Sequence, residues 1–269
     1  MLKDINTIAI GSTNPCLLVY MIDQSGSMSE DFGNDSHSKA QELCNAINSV
    51  IYEVGLRCMR TGEVKSRFEI ALFAYSGTTV RPGWEGTLNN TFLHTIRDIL
   101  ENPYQVGDDT ITWVTPHADD ATPMLTAFKN VRELCDDWIN WGRHREDCHP
   151  PIIINVSDGA ATDDDQNFSG IRRVVQDIRN LQTDYGPTMV LNIHISSRHA
   201  NRILFPDRPM SNDQHERLLF EISSPLYKAM IDRARTREYN LSENSRGYIF
   251  NGNSIDLINF LNIGSPGAQ

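Results

Sequence analysis

Residues 17–27 read Leu17-Leu18-Val19-Tyr20-Met21-Ile22-Asp23-Gln24-Ser25-Gly26-Ser27. An unbroken apolar run that stops at an acid and a Ser/Gly turn describes a strand buried on both faces, because a strand with one wet face would alternate. Comparable runs recur at Phe68 to Tyr75, Pro151 to Val156 and Met189 to Ile195, with a short last strand at Tyr248 to Phe250. Amphipathic helices separate them. From Lys39 to Cys58 the residues Ala40, Leu43, Ile47, Val50, Ile51, Val54 and Cys58 fall at three- and four-residue spacing. Thr122-Pro123 opens a second helix, with Thr122 as N-cap and a stripe of Leu125, Phe128, Val131, Cys135 and Trp138. Ile171 to Leu181 forms the next helix, and residues 214–236 form one or two more, split at Ser224-Pro225. Smaller expectations are an edge strand near Thr78 to Arg81, a short helix over Thr91 to Leu100, and a closing helix capped by Ser254 and carrying Ile255, Ile258 and Leu261. Strand and helix alternate from end to end. The pattern predicts a doubly wound, Rossmann-like α/β domain over residues 1–269 (core 15–263), its mostly parallel central sheet covered by helices on both faces and carrying one antiparallel edge strand.

The chain has 269 residues, 24 Lys+Arg against 35 Asp+Glu, and a formal net charge of −11. Clustered basic residues are what phosphate backbones and anionic lipids require, so this balance argues against nucleic acid and membrane surfaces as partners. Arg172-Arg173 and Arg233, Arg235 and Arg237 are too scattered to make such a footprint. The N-terminus lacks the basic-then-apolar pattern of a secretory signal, and no stretch approaches a membrane span. Five cysteines, an odd number without CxxC spacing, read as free thiols in a reducing compartment, and the expected location is cytoplasmic.

Chemistry concentrates in three places. Asp23-x-Ser25-x-Ser27 follows the first strand, Thr122 stands at a helix start, and Asp158 closes the strand that begins at Pro151. In an open α/β sheet, loops at the carboxyl ends of adjacent strands meet where strand order reverses. Two carboxylates and three hydroxyls converging there suit a hard divalent cation: Mg²⁺, with Mn²⁺ or Ca²⁺ as alternatives. A set without His or Cys does not suit zinc.

Together, Asp23-x-Ser25-x-Ser27, Thr122 and Asp158 resemble the metal-ion-dependent adhesion site (MIDAS) of von Willebrand factor A (vWA) domains. Three stretches, VYMIDQSGSMS, ADDATPMLTAF and INVSDGAATD, further resemble bacterial cytoplasmic vWA proteins associated with tellurium resistance and kinase/phosphatase signalling. Such relatives often carry glycines before the threonine, where this chain has Asp120 and Ala121, a stiffer and more acidic loop. The resemblance implies that Ser25 and Ser27 bind metal directly, Thr122 directly or through water, and Asp23 and Asp158 through waters or hydrogen bonds. It also implies a protein partner that presents Asp or Glu to the metal, in a bacterial signalling, stress or defence assembly that includes an ATPase, kinase or phosphatase. Movement of the last helix, Ser254 to Asn262, accompanies metal rearrangement in integrin-type relatives.

The competing reading is a metal-dependent hydrolase of phosphatase type on the same carboxylates. A haloacid-dehalogenase-type phosphatase needs a second carboxylate two residues after the first, and Ser25 stands there. Neither a nucleophile elbow nor a P-loop is present. Asp163-Asp164-Asp165 reads as a solvated acidic loop, with extension of the cation site as the alternative, and Asp119-Asp120 either deepens the negative potential or serves the helix dipole. GRHREDCHPP (142–151) reads as a surface loop and not as a zinc site, His194 as a packed strand histidine, and Gly26 and Gly159 as backbone requirements.

Overall fold

The computed structural model describes residues 2–8, 10–32, 37–107, 110–196, 201–235, 239, 241–252 and 255–256. Along the chain run β1 (Cys16–Asp23), α1 (Lys39–Cys58), β2 (Phe68–Ser76), β3 (Thr79–Pro82), β4 (Leu93–Thr95) and α2 (Ile96–Glu101). These are followed by α3 (Met124–Ile139), α4 (His144–Asp147), β5 (Ile152–Ser157), α5 (Ser169–Asn180) and β6 (Met189–His194). The last described elements are β7 (Ile203–Leu204), α6 (Gln214–Ile222), α7 (Lys228–Arg235) and β8 (Tyr248–Phe250).

The described strands form one eight-stranded sheet in the order β7-β8-β6-β5-β1-β2-β3, with β4 also on β2. Strands β8, β6, β5, β1 and β2 are parallel. Antiparallel strands close both edges, β7 on β8 at one and β3 and β4 on β2 at the other. The expectation of one antiparallel edge strand was therefore too few. Part of the difference lies at Thr91 to Leu100, expected to be helical throughout. Leu93–Thr95 instead pairs with Glu69–Ala71 and shields backbone groups that β2 would otherwise leave open, and a capping box between Thr95 and Asp98 delays the helix to Ile96.

Strand β1 lies at the centre and all its residues are buried. Its side chains alternate between two cores. Leu18, Tyr20 and Ile22 pack with α1, α2 and α7, whereas Leu17, Val19 and Met21 pack with α3, α5 and α6. Each fully buried aliphatic side chain of this kind contributes about 1.5–3 kcal/mol, so two-sided burial explains the unbroken apolar run. The five cysteines are buried and unpaired, and loss of hydration pushes the Cys44 thiol up to about 12. Among the described residues no helix is long and apolar enough to cross a membrane. Of the closing helix expected at Ser254 to Asn262, only Ile255 and Asp256 lie within the described residues.

Segment 142–151 is the expected surface stretch only in its first half, since residues 148–151 are buried. An Arg143–Asp147 ion pair braces a single helical turn, and Cys148 and His149 are buried, the His149 ring 3.8 Å from the Cys16 sulfur. Packing against β1 shelters a thiol and an imidazole that polar neighbours in sequence had disguised.

Candidate metal centre

Chain order reverses at β1: β2 lies on one side and β5 on the other. Asp23 ends β1, and Asp158 immediately follows β5. Both carboxylates therefore stand at the crevice where ligands of such sheets are held.

Asp23 is fully buried and both its oxygens are engaged. Oδ1 accepts from the Ser25 N–H at 2.9 Å, and Oδ2 accepts from the Ser157 hydroxyl at 2.6 Å. Burial pushes its carboxyl up to about 6, opposed by hydrogen bonds from Ser157 and Ser25 and reinforced by the charge of Asp158. After Asp23 the chain turns into a short 3-10 helix, Gly26–Ser29, which brings the Ser25 and Ser27 hydroxyls within 3.2 Å of each other. A Cβ on Gly26 would lie 3.3 Å from the Asp120 carbonyl oxygen, so a side chain there would press on the neighbouring loop.

That loop carries Thr122 and is stitched to its neighbours through the backbone. Gly26 N–H donates to Asp120 O at 2.8 Å, Asp119 N–H to Gln24 O at 2.8 Å, and Gly77 N–H to Ala121 O at 2.7 Å. Asp120 sits at φ +51°. Asp119 and Asp120 thus serve the site through their main chain, with their side chains exposed. Thr122 is buried, and it is not the N-cap: the helix starts at Met124, Pro123 occupies the cap position, and no side chain of that residue can cap. The cap comes from across the site. The Asp163 carboxylate accepts from the N–H groups of Leu125 and Thr126, both at 2.9 Å, and from the Thr126 hydroxyl at 2.8 Å. A carboxylate takes two N–H groups and complements the helix dipole better than a neutral hydroxyl, which leaves the Thr122 side chain out of the cap.

The acidic triplet is therefore more than a solvated loop, although Asp165 is exposed. Asp164 accepts from the N–H groups of Gly170 and Ile171, and Asp165 from those of Asn167 and Ser169. All three carboxylates hold helix starts. The third segment joins the second by a reciprocal pair: Thr122 N–H donates to the Thr162 hydroxyl at 2.9 Å, and Thr162 N–H to Thr122 O at 3.0 Å. Gly159, at φ +86°, turns the chain after Asp158, and an added Cβ would lie 3.0 Å from His215.

Three participants escaped the sequence reading. Ser157 links Asp23 to the Gly159 N–H. Thr162 holds Thr122. Lys39, only 3% exposed, places its ammonium 2.9 Å from Glu30 and 3.8 Å from Asp158. A usable signal existed for Lys39, since a cation in the first turn of a helix opposes the dipole and needs anionic compensation nearby. Nothing in sequence pattern marks Ser157 or Thr162.

Below the site, polar side chains cross the sheet. Tyr75 OH donates to Asn155 at 2.8 Å, Asn155 to Asn192 at 3.0 Å, and Asn192 to Ser223 at 2.9 Å. His194 is packed as expected. It is 5% exposed, its Nδ1 lies 3.1 Å from Tyr248 OH, and burial lowers its pKa to about 4.

The donor set is all oxygen: two carboxylates, one already saturated with hydrogen bonds, and hydroxyls from adjoining segments. Such a set fits a hard cation, which Ser25, Ser27 and Thr122 would meet directly and the carboxylates would flank.

No protein-family model matches the sequence, and no curated protein matches it. The fold is similar to part of several solved structures. The three N-terminal domains of the type V pili tip protein Mfa5 from Porphyromonas gingivalis align over 55% of this chain and 20% of that one, at 19% identity and a TM-score of 0.30. Human COPII-coat protein Sec24c aligns over 72% and 28%, at 11% identity and a TM-score of 0.36. The pilus adhesin RrgA from Streptococcus pneumoniae aligns over 56% and 21%, at 17% identity and a TM-score of 0.32. The chain thus matches between a fifth and just over a quarter of the length of these proteins.

Proposed function

We propose that the protein is a metal-dependent protein-binding module, a vWA-type domain in which Mg²⁺ at Asp23, Ser25, Ser27, Thr122 and Asp158 receives an acidic side chain from a partner. The observation that carries this reading is the pair of Ser25 and Ser27 hydroxyls, 3.2 Å apart, beside a buried Asp23 whose oxygens are already engaged. When bound, the cation supplies an electrophilic coordination position that a carboxylate can fill.

The chain's own residues set up that position. Asp23 orients the Ser25 backbone and helps neutralise the cation without crowding its inner sphere. Asp158, partly compensated by Lys39, acts from the other side. The Asp120 and Thr162 contacts keep Thr122 at the same crevice. Few direct carboxylates leave the cation attractive to an incoming Asp or Glu, and against a net charge of −11 the attraction must come from the metal. A cytoplasmic bacterial assembly with an ATPase, kinase or phosphatase belongs to the same proposal.

Affinity capture from lysate with Mg²⁺ or with EDTA, using wild type and Asp23→Ala, tests it. We expect a partner set that is lost both on chelation and in the variant. Equal capture in all conditions overturns the docking role. Turnover of generic phosphate esters that vanishes in Asp158→Ala favours the hydrolase instead.

A further inference from the structure

The sheet face beside α3 carries a groove of about 760 Å³ between α3, β2 and β4. Glu69 and Phe73 rise from β2, Phe92 precedes β4, and Trp138, Trp141 and His144 come from the end of α3 and beyond. Glu69 is six residues from Tyr75, the partner of Asp23, so the Glu69 end of the groove lies roughly 20 Å along β2 from the strand end, while Phe73 lies only two residues from it.

Its walls are aromatic. Phe73 and Phe92 stack with centroids 4.2 Å apart, and Trp138 packs on His144 at 4.3 Å. Trp141 stands 73% exposed at the rim, an uncommon position for the largest apolar side chain. The groove is also acidic. Glu69 is half-buried at its foot, with Oε2 accepting from Trp138 Nε1 at 2.6 Å. Glu133 and Asp137, one turn apart on α3, line the opposite side. Among the described residues none of these carboxylates has an ionic partner, and neither Lys nor Arg lines the groove. The arginines nearby are committed elsewhere: Arg132 to Asp136, Arg143 to Asp147, and Arg145 to Asn140 and Gln182.

We infer that this groove is a binding site for a small organic cation, an aryl- or alkylammonium whose apolar body lies between Phe92, backed by the buried Phe73, and Trp141 while its charged nitrogen meets Glu69. Aromatic faces and unpaired carboxylates favour the same ligand: the rings attract a cation through their quadrupoles, and the carboxylates accept its N–H groups. The volume lies within the range of small-molecule pockets. A neutral apolar ligand would leave Glu69 with only the uncharged Trp138 N–H and no counter-charge, and an anion would face three carboxylates.

The probe is 2-phenylethylammonium, titrated by calorimetry and by ligand-observed NMR into the full chain, beside its neutral isostere 2-phenylethanol and the anion phenylacetate. We expect saturable binding of the ammonium at least tenfold tighter than the alcohol, and none of the anion. Glu69→Gln, which keeps an acceptor for Trp138 Nε1, should weaken the ammonium about tenfold and leave the alcohol unchanged. Trp141→Ala should weaken both, and Glu101→Gln, outside the groove, neither. Equal binding of ammonium and alcohol, or undiminished ammonium binding by Glu69→Gln, overturns the assignment. So does capture of an arginine-bearing peptide without binding of the amine, which would make the groove a protein-docking surface.

Discussion

Asp23 carries an electrostatic cost that explains much of the site. Its carboxyl is pushed up to about 6 by burial, against an ordinary value of 3.8. In chelator this group therefore destabilises the fold once ionised, by about 3 kcal/mol, and the penalty is relieved as pH falls through 6 towards 3.8. A bound cation would remove the penalty by favouring the charged form. Asp23→Asn should accordingly be as stable as wild type or more so in EDTA at pH 7.5, while lacking the rise in unfolding temperature that the proposed Mg²⁺ site predicts for wild type. Differential scanning calorimetry with and without Mg²⁺ measures both; an undiminished Mg²⁺ increment in the variant would remove Asp23 from the site. Lys39 belongs to the same balance, because its ammonium already offsets part of the charge at Asp158. At this scale the sequence pointed to Asp23, Ser25, Ser27 and Asp158 by their place after strands and to Thr122 by its place at a helix start. Ser157 and Thr162 stayed hidden because a serine or threonine in a loop looks the same whether or not a buried carboxylate or a backbone N–H lies opposite.

Helix α3 shows how an element can be legible while its boundary is not. Its apolar stripe announced it, and Leu125, Phe128, Val131 and Trp138 do face the core side of the helix, with Leu125 only half-buried. Its start was misplaced because the capping carboxylate, Asp163, lies 38 and 37 residues beyond the Leu125 and Thr126 N–H groups it accepts from, and is not Thr122. Asp163→Ala should cost about 1–2 kcal/mol, the worth of a strong helix cap. Because the same loop positions Thr122, it should also weaken the Mg²⁺-induced stabilisation. Asp165→Ala should loosen the start of α5 and leave any Mg²⁺ response intact. Urea unfolding of both variants with and without Mg²⁺ separates the effects; an equal loss of Mg²⁺ response in both would show that Asp163 has no special tie to the site.

Across the whole molecule, the buried polar chain from Tyr75 through Asn155 and Asn192 to Ser223 ties β2, β5, β6 and the end of α6 together beneath the crevice. His194 extends this polar layer and makes the fold sensitive to acid. Its neutral form is favoured first by burial and then opposed by the charges of Asp158 and Asp213, with Lys39 and His215 on the side of burial. With a folded value of about 4 against 6.5 unfolded, its contribution is complete above 6.5 and is lost as pH falls towards 4, about 3 kcal/mol in all. Asp23 has the opposite sign over much of that window, so the net curve of the wild type in chelator is flatter than either. The difference between wild type and His194→Gln isolates the histidine. Their gap in unfolding free energy should shift by about 3 kcal/mol in the variant's favour between pH 7.5 and 4, and a pH-independent gap would mean that His194 remains chargeable in the fold.

The alternating pattern of solid apolar runs and amphipathic helices determined by itself that the chain builds a parallel-cored α/β sheet, because two-sided burial leaves its mark on every residue of a strand. Strand ends likewise marked Asp23 and Asp158 as candidates. Only the tertiary structure decided which strands close the edges, that the acidic triplet caps helices, and that Lys39, Ser157 and Thr162 join the site. Those outcomes depend on hydrogen bonds and ion pairs between segments distant in sequence, and such partners leave no periodicity in the chain. The aromatic, acidic groove beside α3 has the same origin: Glu69, Phe92 and the Trp138–Trp141 turn lie on three separate segments, and only packing makes one surface of them.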